Sequence, residues 1–393
     1  MKLSQPEQVF QDFATDCSGC RLCAGGCSLL EKSPFTPAEI AKRLLADDLS
    51  PELIGAVQRC SLCGLCGQLC PHGLNPAELM QTARIHLVAC GQIDISDYQL
   101  MLVDTPDHFF RLYRDTWGIN YRDLEKQRCP TLFFPGCSLS SYAPELTRAA
   151  CNWLVEQDYS VGMSSDCCGL PLLNIGLVKR AEAHLELLQD ELSARRVEQV
   201  VTSCPNCFYF LREHLVGVQV SSLYQLMSAV GTRIAGQPRL SVHDSCPDRY
   251  SGEIGWSLRT LLPEGALVEL PNHGSKTRCC GAGGMASLID YHAAEERTNQ
   301  RREEIVAASA TTCVSACMAC VKRLGGGCME SASRNVNHIL ELVFERPLVR
   351  SDIDRRLELM WQGEDGERNM QRLNAKVDAL SDIPPGGSNR GAA

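Results

Sequence analysis

"CCGLP" at residues 167–171 returns as "CCGAG" at 279–283. The same order of cysteines surrounds each copy. The first runs Cys137, then Cys167, Cys168 and Gly169, then Cys204, Pro205, Asn206 and Cys207. The second runs Cys246, then Cys279, Cys280 and Gly281, then Cys317, Met318, Ala319 and Cys320. Matching cysteines lie 109 to 113 positions apart. A pattern C…CCG…CxxC used twice means that one structural unit was duplicated, each copy with its own site.

The residues before these cysteines are strand-like. "TLFF" precedes "PGC", "QVVTS" precedes "CPNC", "RLSVHDS" precedes "CPD" and "ATTCVSA" precedes "CMAC". Apolar stripes at helical spacing follow: Leu146, Ala149, Ala150, Trp153 and Leu154; Leu177, Ala181, Leu185, Leu188 and Leu192; and in the second copy Ile254, Leu258, Leu261 and Leu262. Strand then helix, repeated, predicts parallel α/β units. Ligands in such sheets sit beyond the carboxyl ends of the strands, where these cysteines fall. The CCG turn brings two sulfurs to one spot, and its glycine avoids a side-chain clash. Five thiolates at one site are too many for one zinc or one cubane. They suit a larger or non-standard cluster, or a cubane plus a reactive thiol.

Upstream lie "CSGCRLCAGGC", with Cys17, Cys20, Cys23 and Cys27, and "CSLCGLCGQLCP", with Cys60, Cys63, Cys66 and Cys70. Both have the spacing C-x2-C-x2-C-x3-C, in which three thiolates wrap one [4Fe–4S] cube and the fourth reaches the other. Cys17, Cys20, Cys23 and Cys70 are therefore expected on one cluster, and Cys60, Cys63, Cys66 and Cys27 on the second. Zinc would want two CxxC pairs per site, not this run. Ser28 follows Cys27 where the ferredoxin pattern often has proline. Gly25, Gly26, Gly64 and Gly67 are expected to let the backbone approach closely and take positive φ. Between the blocks, Ile40, Leu44, Leu45, Leu53, Ile54 and Val57 recur at helical spacing, with Pro37 and Pro51 near helix starts.

The fold expected is α+β and multidomain. An α-helical two-cluster ferredoxin domain occupies 1–90 and a linker 91–128. Two α/β cysteine-rich domains follow at 129–235 and 236–345, then a C-terminal helix and disordered tail at 346–393. The linker's aromatics, Tyr98, Phe109, Phe110, Tyr113, Trp117 and Tyr121, are read as packing between domains. The closing "DIPPGGSNRGAA" has no core-forming residues.

Composition sets limits. The 393 residues carry 23 cysteines, 44% hydrophobic residues and a formal charge of −9. A core of that size, with no signal-peptide pattern, argues against a disulfide scaffold and for metal ligation. No basic stripe suggests nucleic acid. No apolar run approaches the roughly 18 residues of a membrane helix. The expected location is cytoplasmic, or peripheral on the inner membrane face through a partner subunit.

The C…CCG…CxxC repeat behind an eight-cysteine ferredoxin segment resembles the fused iron–sulfur catalytic subunit of heterodisulfide reductase. Its relatives include iron–sulfur subunits of glycolate oxidase, lactate oxidation systems and anaerobic glycerol-3-phosphate dehydrogenase. The resemblance spans roughly residues 10–345. It implies that Cys137, Cys167, Cys168, Cys204 and Cys207 ligate one noncubane [4Fe–4S] cluster, and Cys246, Cys279, Cys280, Cys317 and Cys320 another. These would be the catalytic centres, cleaving a disulfide by successive one-electron steps. The cofactors implied are two cubanes and one or two further clusters. The expected partners are a flavoprotein, a ferredoxin or a membrane cytochrome, with a small thiol or disulfide as substrate. The other reading is an electron-transfer subunit of a flavin-dependent dehydrogenase, delivering electrons to quinone or another carrier. It predicts shielded cysteine repeats, whereas disulfide chemistry predicts an open cleft between them.

Five cysteines remain: Cys90, Cys129, Cys151, Cys313 and Cys328. Cys90 and Cys151 are expected to be buried as small apolar residues. Cys313 competes for ligation and Cys328 reads as a loop residue. His243 and Asp244 sit at a strand end beside Cys246, either as a hydrogen-bonded terminus or as a group tuning the cluster. His273 is a candidate proton donor. Asp166, Arg249 and Arg278 flank ligands. "GAGG" at 281–284 lacks nucleotide-loop spacing, and no flavin or nicotinamide fingerprint appears.

Overall fold

The computed structural model describes residues 5–236, 239–326 and 335–381. Cys328 and the tail at 382–393 lie outside them. The N-terminal region is helical: α1 (Pro6–Asp16), α2 (Ser28–Lys32), α3 (Pro37–Leu45), α4 (Pro51–Gln58), α5 (Leu65–Gln68) and α6 (Pro76–Ala89). Pro37 and Pro51 open their helices, where a missing N–H removes no helix bond. Thr36 closes a capping box with Glu39, and the Ser50 hydroxyl accepts from the Leu53 N–H. Ile40, Leu44, Leu53 and Val57 meet Phe10, Leu79 and Leu87 in one core. Each such burial contributes roughly 1.5–3 kcal/mol. The cysteines are carried on the loops and short turns around α2 and α5.

The stretch after α6 is tied down by its aromatics. Tyr98, Tyr113 and Tyr121 are buried. The rings of Phe110 and Tyr113, from α7 (Phe109–Thr116), meet Tyr142 edge to face.

The first repeat holds β1 (Thr131–Phe134), α8 (Cys137–Tyr142), α9 (Pro144–Glu156), β2 (Val161–Met163), α10 (Leu170–Ile175) and α11 (Val178–Ala194). It continues with β3 (Gln199–Thr202), α12 (Pro205–His214), β4 (Gln219–Ser222) and α13 (Leu223–Ala229). Its sheet is parallel, in the order β2-β1-β3-β4. The second repeat holds β5 (Leu240–Val242), α14 (Glu253–Leu261), α15 (Ala286–Ile289), α16 (Tyr291–Ala307), β6 (Thr312–Ser315), α17 (Met318–Gly325), β7 (Asn335–His338) and α18 (Ile339–Val343). Its parallel order is β5-β6-β7. The counterpart of β2 is reduced to one bridge, Leu240 to Leu267.

Alternation along the strands builds two kinds of core. Phe133, Val201, Phe208 and Leu223 of the first repeat meet Val242, Leu258, Val314 and Ile339 of the second. The repeats thus bury one sheet face against each other. On the outer side, Leu132, Phe134 and Val200 pack under Leu188 and Leu192 of α11. Leu270, Cys313 and Val336 pack with Ile305 of α16. Finally α19 (Arg350–Leu359) and α20 (Gly363–Ser381) return to α7: Met360 and Leu373 contact Leu112 and Tyr113. Arg372 pairs with Asp107 and Asp115 at 2.7 and 2.9 Å.

Candidate functional site

The ferredoxin-like region encloses two cysteine-lined cavities. One is lined by Cys17, Cys20, Cys23 and Cys70, with Ser18, His72 and Pro76. The other is lined by Cys27, Cys60, Cys63 and Cys66, and also by Cys279 and Arg297 of the second repeat. Each cavity takes three cysteines from one block and the last cysteine of the other. On the first cavity Cys20 is exposed and Cys23 buried, so one edge of that site reaches the surface. Of the four loop glycines, Gly26 and Gly64 take positive φ, and Gly25 and Gly67 do not.

The buried sulfurs among them are poor thiolates on their own. Burial pushes Cys23 and Cys27 up to about 11 and Cys66 higher still, with neighbouring cysteines adding to the rise. A cationic metal core that binds them as thiolates displaces the protons. Two arginines point to the resulting anion. Arg84 is fully buried on α6, and Arg297, 3% exposed, lies on α16. Neither joins a carboxylate ion pair among the described residues. Arg297 Nη2 donates to the Arg59 carbonyl at 3.0 Å, but its Nε and Nη1 are buried without a partner beside the second cavity. Buried charges are normally paired. Four thiolates around an iron–sulfur cube carry net negative charge, so the residues present fit that group.

The second repeat is bolted over this cavity. Arg249 Nε donates to the Cys63 carbonyl at 2.9 Å, and its Nη2 to Thr277 O at 2.7 Å. Gly283 and Gly284 approach so closely that a Cβ on either would lie 2.5 Å from the Ser61 or Cys60 carbonyl. Cys63 and Cys279 line this cavity together, and their proximity holds Cys63 above its ordinary value and Cys279 below its own. A sulfur of the repeat therefore reaches the edge of a ferredoxin site.

Within the repeats the five cysteines of each set gather at strand ends. Cys167 interacts with Cys137 and Cys168, and Cys207 with Cys168 and Cys204. In the second set, Cys280 and Cys320 sulfurs are 3.1 Å apart, Cys320 interacts with Cys317, and Cys246 faces Cys279, Cys280 and Cys317. Gly169 and Gly281 of the CCG turns take φ of +90° and +82°. A Cβ on Gly281 would strike Ala294 O and Thr298 Oγ1. Tyr224, fully buried, joins the two sets: its hydroxyl lies 2.8 Å from Ser203 O and 3.3 Å from Ala316 O, each carbonyl next to the first cysteine of a CxxC.

Comparison with known families matches the 4Fe-4S dicluster domain at residues 16–75 and the cysteine-rich domain twice, at 131–212 and 240–325. The chain carries a 4Fe-4S dicluster domain followed by two cysteine-rich domains. It is similar to one of the subunits of dihydromethanophenazine:CoB–CoM heterodisulfide reductase from Methanosarcina barkeri: 23% identity over 345 residues, covering 80% of this chain and 83% of that one. It is also similar to one of the subunits of fumarate reductase (CoM/CoB) from Methanothermobacter marburgensis, 22% identical across 77% of this chain and 66% of the relative. A lactate utilization protein from a Geobacillus species is 27% identical, but over only 46% of this chain. The chain is thus an iron–sulfur oxidoreductase subunit similar to those of heterodisulfide reductase. No described helix is long and apolar enough to cross a membrane.

The remaining expectations divide. In the second cysteine-rich domain His243 is buried, and burial holds its imidazole down at about 3. Asp244 accepts from Arg259 at 2.7 Å and from the Gly274 N–H at 2.7 Å. His273 is half-exposed beside Glu269, not gathered with the cysteines. Asp166 is exposed and accepts from the Ser164 hydroxyl, and Arg278 pairs with Glu304 at 3.0 Å. Cys129 and Cys151 are buried, and Cys313 is buried within β6. Cys90 is exposed, contrary to expectation, because it falls at the end of α6 where the chain turns outward. Sequence reading missed Arg84, Arg297, Arg301 and Tyr224. The one available signal was spacing: Arg297, Arg301 and Ile305 share a face of α16 with Ala294 and Thr298.

Proposed function

We propose that this chain carries electrons from a partner subunit inward to thiol/disulfide chemistry at the cysteine-rich domains. In this reading Cys17, Cys20, Cys23 and Cys70 hold one cubane [4Fe–4S] cluster, and Cys27, Cys60, Cys63 and Cys66 a second. Cys137, Cys167, Cys168, Cys204 and Cys207 hold a further cluster, and Cys246, Cys279, Cys280, Cys317 and Cys320 another. The domains divide at 1–90, 91–128, 129–235, 236–345 and 346–393. Bound iron–sulfur centres supply one-electron transfer. The chain's own residues set the order: the exposed Cys20 marks the surface end, Arg297 and Arg84 offset buried negative charge, and Tyr224 fixes one repeat against the other. The observation that carries the reading is that Cys279 of the second repeat lines the same cavity as Cys27, Cys60, Cys63 and Cys66, so a ferredoxin site and a repeat share one wall. The overall change breaks one S–S bond, takes up two electrons from the partner and two protons, and releases two thiols. The partner is a flavoprotein, ferredoxin or cytochrome subunit, which would place the chain in the cytoplasm or on the inner membrane face.

A second reading, an electron conduit for a flavin-dependent dehydrogenase, is favoured by one observation: Cys167, Cys168, Cys207, Cys279, Cys280, Cys317 and Cys320 are all buried. The test is iron and acid-labile sulfide on full chain purified without oxygen, with spectroscopy of the same sample. About sixteen irons are expected, from four four-iron clusters, with an oxidised-state signal perturbed by added thiol. The same iron with no thiol response establishes the conduit. About eight irons would refute clusters in the repeats.

A further inference from the structure

The two repeats differ at one position that the duplication makes equivalent. β1 leads through Pro135 and Gly136 to Cys137, and β5 through His243, Asp244 and Ser245 to Cys246. Counting back from each cysteine, Phe134 and His243 occupy the same place. Phe134 is 1% exposed and packs in an apolar cluster with Cys168, Cys207 and Leu211. His243 is also 1% exposed, but a ring nitrogen and the sulfurs of Cys280 and Cys320 lie within 4.8 Å of one another.

That group of three resembles a metal site, yet the hydrogen bonds argue otherwise. Arg301 Nε donates to His243 Nδ1 at 3.0 Å. Arg301 has no exposed side-chain surface and is anchored by Asn272 O at 2.7 Å, Glu304 and Thr277 Oγ1. Its guanidinium does not give up a proton. The opposite tautomer would set Nδ1–H against the arginine N–H. The ring therefore keeps its proton on Nε2, and Nε2–H is the one donor left on a ring whose nitrogen comes within 4.8 Å of the two sulfurs.

We propose that His243, locked by Arg301, is a fixed hydrogen-bond donor to the second cysteine-rich site, making it easier to reduce than the first, where Phe134 offers no donor. Hydrogen bonds to sulfur and nearby charge both set cluster potentials. The duplicated sites are then unequal by construction, and an electron arriving through Cys279 rests first at the second. This inference stands on the proposed function, since it requires a cluster in each repeat.

The experiment is a redox titration followed by paramagnetic resonance on anaerobic full-length chain. It compares wild type with His243→Phe, His243→Gln and Phe134→His; Cys280→Ser identifies the second site's signal by its loss. His243→Phe should make that site at least tenfold harder to reduce, about 59 mV for one electron, with the ferredoxin signals unmoved. Glutamine, which keeps an N–H, should restore most of the difference. Phe134→His should shift the first site the opposite way. An unmoved second-site potential in His243→Phe overturns the inference, as does loss of that site's iron in both His243 variants, which would make His243 a ligand. If His243→Phe fails to fold, Phe134→His decides alone: an unchanged first-site potential overturns it. About eight irons in wild type would bring down the functional reading and this inference together. Sixteen with unmoved potentials would bring down only this one.

Discussion

Replacing Arg84 by methionine should loosen three domains at once. Arg84 Nη2 donates to Val57, Gln58 and Cys60 carbonyls at 3.1, 2.8 and 2.5 Å, and Nε to Val57 at 3.2 Å. Nη1 reaches Asn174 of the first repeat at 2.9 Å and Gly284 of the second at 2.6 Å. Methionine fills much of the space but donates nothing. Val57 O retains a bond from the Cys60 N–H, so up to four buried carbonyls lose this donor, at about 1 kcal/mol each or more. Removing a buried cation recovers part of its desolvation cost, but an anionic centre nearby already offsets that cost. A net loss of about 3 kcal/mol remains, roughly 150-fold in the opening equilibrium. Hydrogen exchange on the full chain reads this directly, because local opening sets amide protection. Segments around 57–60, 170–176 and 281–286 should lose protection together, by about 100-fold. Loss confined to 57–60 would show that Arg84 braces one loop and does not join the domains.

Other outcomes are equally specific. Arg297→Gln should make the centre in the second ferredoxin cavity about tenfold harder to reduce, about 59 mV for one electron, and an unmoved potential would mean that the orphaned guanidinium does not face it. Gly281→Ala should cost several times more stability than Gly73→Ala, because both have positive φ but only Gly281 has atoms where the methyl must go; left-handed strain alone is about 1–2 kcal/mol. Equal melting shifts would contradict the contact. His338, 1% exposed, is held down at about 4 from 6.5 by burial, with Nε2 bonded to Ala316 O. The unfolded chain therefore binds this proton first, so stability is full above pH 6.5 and falls by about 3 kcal/mol as pH drops toward 4. His338→Gln should flatten that slope in denaturant titrations, and an unchanged slope would assign it elsewhere.

Much of the architecture was legible in the chain. Cysteine spacing announced two ferredoxin sites and a duplicated unit, because metal ligation fixes both residue type and separation. Pro37 and Pro51 marked helix starts, and strand runs ended where the cysteines began, because these are local preferences of the backbone. Cys90 failed because a periodic pattern does not say on which side a helix ends. The arginines failed for a related reason. "EERTNQRREE" reads as a solvated face, yet packing turns Arg297 and Arg301 inward, one to the ferredoxin cavity and one to His243. Nor does spacing reveal that Cys279 lines the same cavity as Cys63, since the two are 216 positions apart. Sequence determined which residues can bind metal. Only the docking of the second repeat on the ferredoxin loops decided which sites touch, because that contact depends on glycines, carbonyls and guanidinium groups brought together from distant segments.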